Sequence, residues 1–166
     1  MANSSLTFCP ENSCHITYHH LRVFTLHVGR SGRGRKGDAM SLTKRLKSRL
    51  EEAWAGTLGQ THEGGLSTRE GLALLIHDGF RQGKEEVPPI DDKRLWVLES
   101  EFVNVLHQAR RDGNTLSAAL RDAWDGVSIR PAIKSARIWA TNPHIGIHAC
   151  VTPSELLVLC QPSIVG

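Results

Sequence analysis

The spacing of hydrophobic positions changes several times along the chain, and each change marks an element. "LRVFTLHV" (21–28) mixes β-branched and aromatic residues and stops at Gly29, which predicts a strand. Beyond a glycine-rich stretch, Leu42, Leu46, Leu50, Ala53 and Trp54 recur at helical spacing, with the basic residues mostly on other faces. A helix is therefore expected from a Ser41 cap to about Trp54. Ser67 and Glu70 stand at capping-box spacing before Leu72, Leu75 and Ile76, predicting a second helix. "RQGKEEVPPIDDK" is polar, broken by Pro-Pro, and reads as a surface loop.

"RLWVLESEF" then supplies a strand core, Leu95 to Leu98, running into Glu99 and Glu101. Helices are expected over 100–111 and from about Leu116 to Trp124, after the "DGNT" turn. "SIRPAIKSARIW" suggests two short strands, the first weakened by Pro131. "HIGIHACV" (144–151) is the last strand, and "TPSE" (152–155) opens a helix with Thr152 at its cap and Glu155 at the box position. Strands alternating with helices predict a layered α/β domain with a mainly parallel sheet. Residues 1–20 show no sustained period and read as an irregular lead-in.

Composition bounds this picture. A chain of 166 residues, 40% hydrophobic and 22% charged, suits one soluble globular domain. Net charge is only +3, yet eight basic residues against Asp38 alone fall between Arg30 and Arg49. Such a block suits a phosphate-bearing partner, or else a solvated helix face. No apolar stretch approaches the ~20 residues that span a bilayer, so no membrane partner is expected. The N-terminus lacks the pattern of a signal peptide. Cys9, Cys14, Cys150 and Cys160 lack framework spacing, which fits reduced thiols in the cytoplasm.

The chemistry concentrates in two places. "VGRSGRGRKGD" (28–38) lies between the first strand and the first helix, where a helix N-terminus offers free N–H groups to an anion. Against the pattern G-x-x-x-x-G-K-[ST], Gly29 and Gly34 are in register, but Arg35 takes the lysine position and Lys36 the hydroxyl position. The stretch reads as a phosphate cradle with altered wiring or as a mobile basic loop. "LWVLESE" is the second place: a carboxylate ending a buried strand can hold Mg²⁺ or orient a water, and Glu99 is so placed, with Glu101 as the alternate.

Other residues carry bland readings beside sharper ones. Glu70 is a third carboxylate whose capping role suffices, and Asn142 in "TNP" is a γ-phosphate sensor or an ordinary turn. Cys9, Cys14, His15, His19 and His20 could together bind metal, but at spacing that matches no zinc pattern. Trp54, Trp96, Trp124 and Trp139 read as packing residues, and His144 and His148 as strand neighbours facing one side.

Taken together, "VGRSGRGRKGDAMS", "DDKRLWVLESEFVNVL", "RRDGNTLSAALRDAWDG" and "ATNPHIGIHACVTPSEL" resemble the domain of unknown function in YfjI-type proteins of bacteria, plasmids and prophages. The resemblance covers about residues 21–157. It implies a divergent phosphate-loop NTPase with a RecA- or helicase-like core, often joined to primase or other replication modules. It further implies that Gly29, Gly34, Arg35, Lys36 and Gly37 cradle the phosphates of ATP. Asp38, where related sequences often have Thr, would approach Mg²⁺, and Glu99 would serve Mg²⁺ or water with Glu101 beside it. Asn114 belongs to a "GNTLS" run typical of the family.

The first twenty residues and the closing "LVLCQPSIVG" depart from the family pattern. The expected organisation is therefore a lead-in (1–20), a partial NTPase-like domain (21–158) and a tail outside the family pattern (159–166), as in a truncated member. The function expected is nucleotide binding, with possible ATPase work on DNA and possible oligomerisation. The alternatives are a non-catalytic basic nucleic-acid-binding module and an inactive fragment.

Overall fold

The computed structural model describes residues 21–131 and 138–160. The elements run β1 (Phe24–Val28), α1 (Lys36–Ala53), β2 (Gln60–Glu63), α2 (Arg69–Leu74), β3 (Phe80–Gln82), β4 (Glu85–Val87), β5 (Arg94–Glu99), α3 (Phe102–Ala109), α4 (Leu116–Asp125), β6 (His144–Val151) and α5 (Pro153–Cys160). Four strands form one parallel sheet in the order β1-β6-β5-β2. The layered α/β fold with a mainly parallel sheet, expected from the alternation of elements, is present.

The strand order follows from burial. β5 and β6 are the apolar strands, and they take the two central positions, where both faces are covered. Leu95 and Val97 of β5, with Ile145, Ile147 and Ala149 of β6, pack on one face into the main core. Leu72, Ile76, Val105, Leu116 and Ala119 from α2, α3, α4 and the turn after α2 cover them. Trp96, Leu98 and Cys150 point to the opposite face, where only Met40 of α1 joins them in a buried apolar cluster. The connection through α1 carries the chain from β1 to the far edge, and the later connections step back toward β1. Right-handed crossovers then require α1 on one face and α2 to α4 on the other, as the two clusters show.

Several local expectations are corrected. α1 starts at Lys36 rather than after Ser41, and its leucine row is turned outward: Leu42 is 60% exposed and Leu46 56%. The sheet face beneath α1 explains this, because it presents Thr25 and His148, 2.8 Å apart between Oγ1 and Nδ1. A polar face gives a leucine row no partner, so Met40 and Thr43 turn inward instead. Trp54, Trp124 and Trp139 are likewise exposed rather than packed away. The expected loop after α2 contains the β3–β4 hairpin, turned at Gly83 with φ +62°. Of the two short strands expected in "SIRPAIKSARIW", the described part shows one bridge, Ile129 with Ala140. The candidate metal residues Cys9, Cys14, His15, His19 and His20 lie outside the described residues.

A polar clamp holds the N-terminal end of the sheet. Lys93 Nζ donates to Asp78 (2.7 Å) and to the carbonyls of Ile76 and His77 (both 2.9 Å), while Thr141 N donates to Asp78 Oδ2 (3.0 Å). Burial pushes the Asp78 carboxyl up, but the bonds from Lys93 and Thr141 outweigh it and leave it below the ordinary carboxylate range. Burial, and the neighbouring Lys93, hold His77 down; burial, and His27, hold His148 down. Both histidines favour the neutral form in the fold, whereas the unfolded chain protonates them near pH ~6.5. Stability is therefore expected to fall as pH drops through that value, and His148→Gln should flatten the decline below about pH 6.5. The Asp78 contribution is present above about pH 4 and disappears as pH falls through its lowered folded value. Asp78→Ala should cost about 2–3 kcal/mol in urea unfolding at pH 7, since it strands the Lys93 ammonium.

The opposite feature is an open edge. Among the described residues β1 pairs with β6 alone, and Leu26 and Val28 are 40% and 44% exposed. Phe24 and Trp124, ring centroids 5.3 Å apart, flank an apolar cavity of about 500 Å³ beside it. Unpaired strand edges template association. Sedimentation should show concentration-dependent self-association that Leu26→Lys suppresses without altering the melt.

Candidate functional site

Parallel strands deliver their following loops to one end, so loop 29–35, Glu99 and Thr152 all emerge at the C-terminal end of the sheet. β6 lies between β1 and β5, so its last residues separate the glycine loop from Glu99. α1 leaves β1 toward one face and α3 leaves β5 toward the other. A crevice outside strand ends, where the connections diverge in this way, is where open α/β sheets hold ligands.

The glycine loop is closed by backbone contact. Gly29 N donates to Val151 O (3.1 Å) and Gly34 N donates to Arg30 O (2.7 Å). A side chain on Gly34 would put its Cβ 2.6 Å from Gly29 Cα, so the two glycines touch directly. Gly32 provides the left-handed turn between them, with φ +73°.

Arg35 resolves the displaced lysine. It adopts a left-handed conformation, φ 45°, rare for a residue with a side chain, and caps α1 without a side-chain hydrogen bond. That kink absorbs the extra residue, and α1 begins at Lys36. Lys36 is half-buried, with Cγ 3.2 Å from where a Gly29 side chain would begin. Lys36 thus lies against the loop, while the Arg35 side chain is exposed. A Cβ added at Gly37 would meet open space, and Asp38 is exposed in the first turn of α1, where its charge suits the helix dipole.

Glu99 ends β5 and is 4% exposed. Its Oε1 accepts from Glu101 N (3.3 Å), and its Oε2 is buried without a hydrogen-bond partner among the described residues. A buried carboxylate oxygen left unmatched is costly, which marks it as awaiting a donor or a cation. Glu101 is exposed and starts α3 without capping it. Between these groups lies Cys150, whose Sγ is 3.9 Å from Lys36 O. Burial pushes its thiol up; Lys36 draws it down and Glu101 raises it further, which places it between the two charges.

Thr152 and Glu155, expected only as a helix cap, belong to this end too. Thr152 Oγ1 donates to Glu155 Oε2 (2.6 Å), and Thr152 N donates to the same oxygen (2.9 Å). Those two bonds, with smaller help from Lys36 and His107, hold the Glu155 carboxyl below its ordinary range. Their place at the end of β6 is the signal that could have marked them, but it needs the strand order. Asn142 goes the other way: it precedes β6, at the end of the sheet opposite the glycine loop, which removes it from the neighbourhood of a γ-phosphate. Glu70 and Asn114 share a separate polar cleft.

Mg²⁺ bound with a nucleotide needs few protein ligands, one or two carboxylates beside phosphates and water. The unmatched Glu99 Oε2 fits that role, and among the described residues no group of three or more acidic, Cys or His side chains forms a metal cage. Protein-family models give no match to this chain, and neither curated proteins nor solved structures yield one. No helix among the described residues is long and apolar enough to cross a membrane.

The two flanking glycines make opposite predictions in a thermal melt. Gly34→Ala drives a Cβ into backbone and should destabilise by about 1–3 kcal/mol. Gly37→Ala meets open space inside a helix and should stabilise by about 0.5–1 kcal/mol.

Proposed function

We propose that this chain binds a nucleoside triphosphate, ATP, at the C-terminal end of the sheet, as a nucleotidase-type domain working with DNA. The observation carrying this reading is the closed loop, in which Gly29 and Gly34 touch and Lys36 starts a helix beside them. Gly29 N and Gly34 N are already bonded to Val151 O and Arg30 O, so an anion would be received by the N–H groups of the first turn of α1, where the helix start adds partial positive charge. Lys36 supplies the nearest full charge, with Arg35 at the exposed rim. Gly37 leaves the first turn of α1 clear for phosphate to approach, and Asp38, exposed in the same turn, would receive a water of the metal.

Glu99 is the second half of the site. Its free oxygen would hold Mg²⁺ through water, or accept a proton from the water that attacks the γ-phosphate. Mg²⁺ held there would supply positive charge to offset the charge developing on the phosphate. Glu101, at the start of α3, stands beside it as the exposed carboxylate.

Titration of the purified chain with Mg-ATP tests the reading. Lys36→Ala should weaken binding at least tenfold, and Glu99→Gln should retain binding while abolishing any phosphate release. Equal affinity in wild type and Lys36→Ala would sink it. The alternative, a non-catalytic module using the exposed Arg30, Arg33, Arg45 and Arg49, predicts DNA binding that weakens steeply with salt in a chain indifferent to ATP.

A further inference from the structure

A polar cleft of about 470 Å³ opens between the start of α2, the turn before α4 and the segment at Arg130. It is connected to Glu99 by a short stretch of chain. Gly64 N donates to Leu98 O (2.9 Å), beside Glu99, and the rim of the cleft begins at Thr68.

The walls are held by their own hydrogen bonds. Asn114 Nδ2 donates to Ser67 O and its Oδ1 accepts from Leu116 N, both at 2.7 Å, tying the loop after β2 to the start of α4. Thr68 Oγ1 accepts from Gly71 N (3.0 Å). Two guanidinium groups belong to this frame. Arg69 is paired through Nη2 with Asp122, which sets the plane of its fork, and its Nε–H is buried with no hydrogen-bond partner among the described residues. Arg130 is exposed and lies over the Trp139 ring, 5.4 Å from its centroid. Among the described residues, the one carboxylate lining the cleft is Glu70.

Oriented guanidinium forks suit a phosphate oxyanion better than point charges do. Asp122 already balances Arg69, and Glu70 adds a negative charge, so the cleft disfavours a bare dianion. It favours a monoanionic phosphate joined to groups that can donate to Glu70. A phosphodiester with its sugar and base meets both requirements. The concave shape admits a single strand, whereas a duplex presents its phosphates on a convex surface.

We propose that this cleft binds one nucleotide unit of a single nucleic-acid strand. Arg130 engages its phosphodiester, with Arg69 held by Asp122 in the wall beside it, and Glu70 accepts from a base amino or sugar hydroxyl group. This assignment gives Asn114 and Glu70 a place outside the glycine loop, and it stands whether or not ATP binds there.

The test is fluorescence anisotropy with a labelled single strand of mixed sequence, about 12 nucleotides long. Arg130→Gln removes an exposed residue, so a wild-type melt is expected. It should weaken strand binding about tenfold and reduce the slope of log affinity against log salt by roughly 0.7. Lys36→Ala should leave strand binding unchanged, and Mg-ATP titration of Arg130→Gln should match wild type. A mononucleotide and inorganic phosphate serve as competitors. Competition by either that is lost together with strand binding in Arg130→Gln would assign the cleft to a free phosphate compound and overturn the proposal. So would the absence of strand binding by wild type, or equal losses in Lys36→Ala and Arg130→Gln.

Discussion

Two backbones in contact decide how the glycine loop can be built. Gly34 lies so close to Gly29 that a single added carbon would fall 2.6 Å from its neighbour's Cα. That closeness forces the chain to turn back within six residues, from Gly29 to Gly34, and it sets where α1 can begin. The remaining residue, Arg35, is pushed into a left-handed conformation, and Lys36 becomes the first helical residue. The lysine that seemed one place out of register is thereby brought against the first glycine. Steric necessity, rather than the motif, selects which basic side chain faces the loop.

The strand order supplies the other half of the site. Because α1 carries the chain to the far edge, two later strands must fill the space between, and the most apolar ones do so. β6 is inserted beside β1, and the end of β6 therefore supports the loop through the Gly29–Val151 bond. Glu99 arrives one strand further on, facing the side of α3 rather than α1. A basic helix start and a buried carboxylate thus lie at the same end of the sheet on either side of β6, with Cys150 near its end and Thr152 just beyond it.

How much of this was legible depended on whether a residue's neighbours were local. β6 was read at its observed limits, because a run of alternating and then continuous apolar residues bounded by Pro143 and Pro153 has little alternative. The Thr152–Glu155 cap was legible for the same reason, being formed within four residues. Strand order was not, since nothing in β1 itself says that its partner lies over a hundred residues away at Ile147. The choice at Asn142 between an ordinary turn and a γ-phosphate sensor was open for that reason: its place beside β6 was legible, but not which end of the sheet it occupies. The outward leucines of α1 show the same limit. Periodicity located a helix with an apolar row, while the polar pair Thr25 and His148 beneath it decided that the row faces away.

The two faces of the sheet are therefore unequal, and the loop belongs to the weaker one. On the side of α2 to α4 the core is continuous, from Leu72 to Ile147. On the side of α1 it shrinks to Met40, Leu98 and Cys150, with Lys44 and Glu63 adding an exposed ion pair at 2.6 Å. An exposed pair contributes little, about 0–1 kcal/mol. Elements with few buried apolar contacts open at low free-energy cost. A nucleotide phosphate held by Lys36, with its Mg²⁺ held from the Glu99 side, would fasten α1 to the side that is already well packed. Any ligand that binds only the folded state adds stability by mass action, about 2.7 kcal/mol at a hundred times its dissociation constant. Here that increment would fall on a helix with one buried residue, Met40, so an anion bound at the loop would also secure the packing around it.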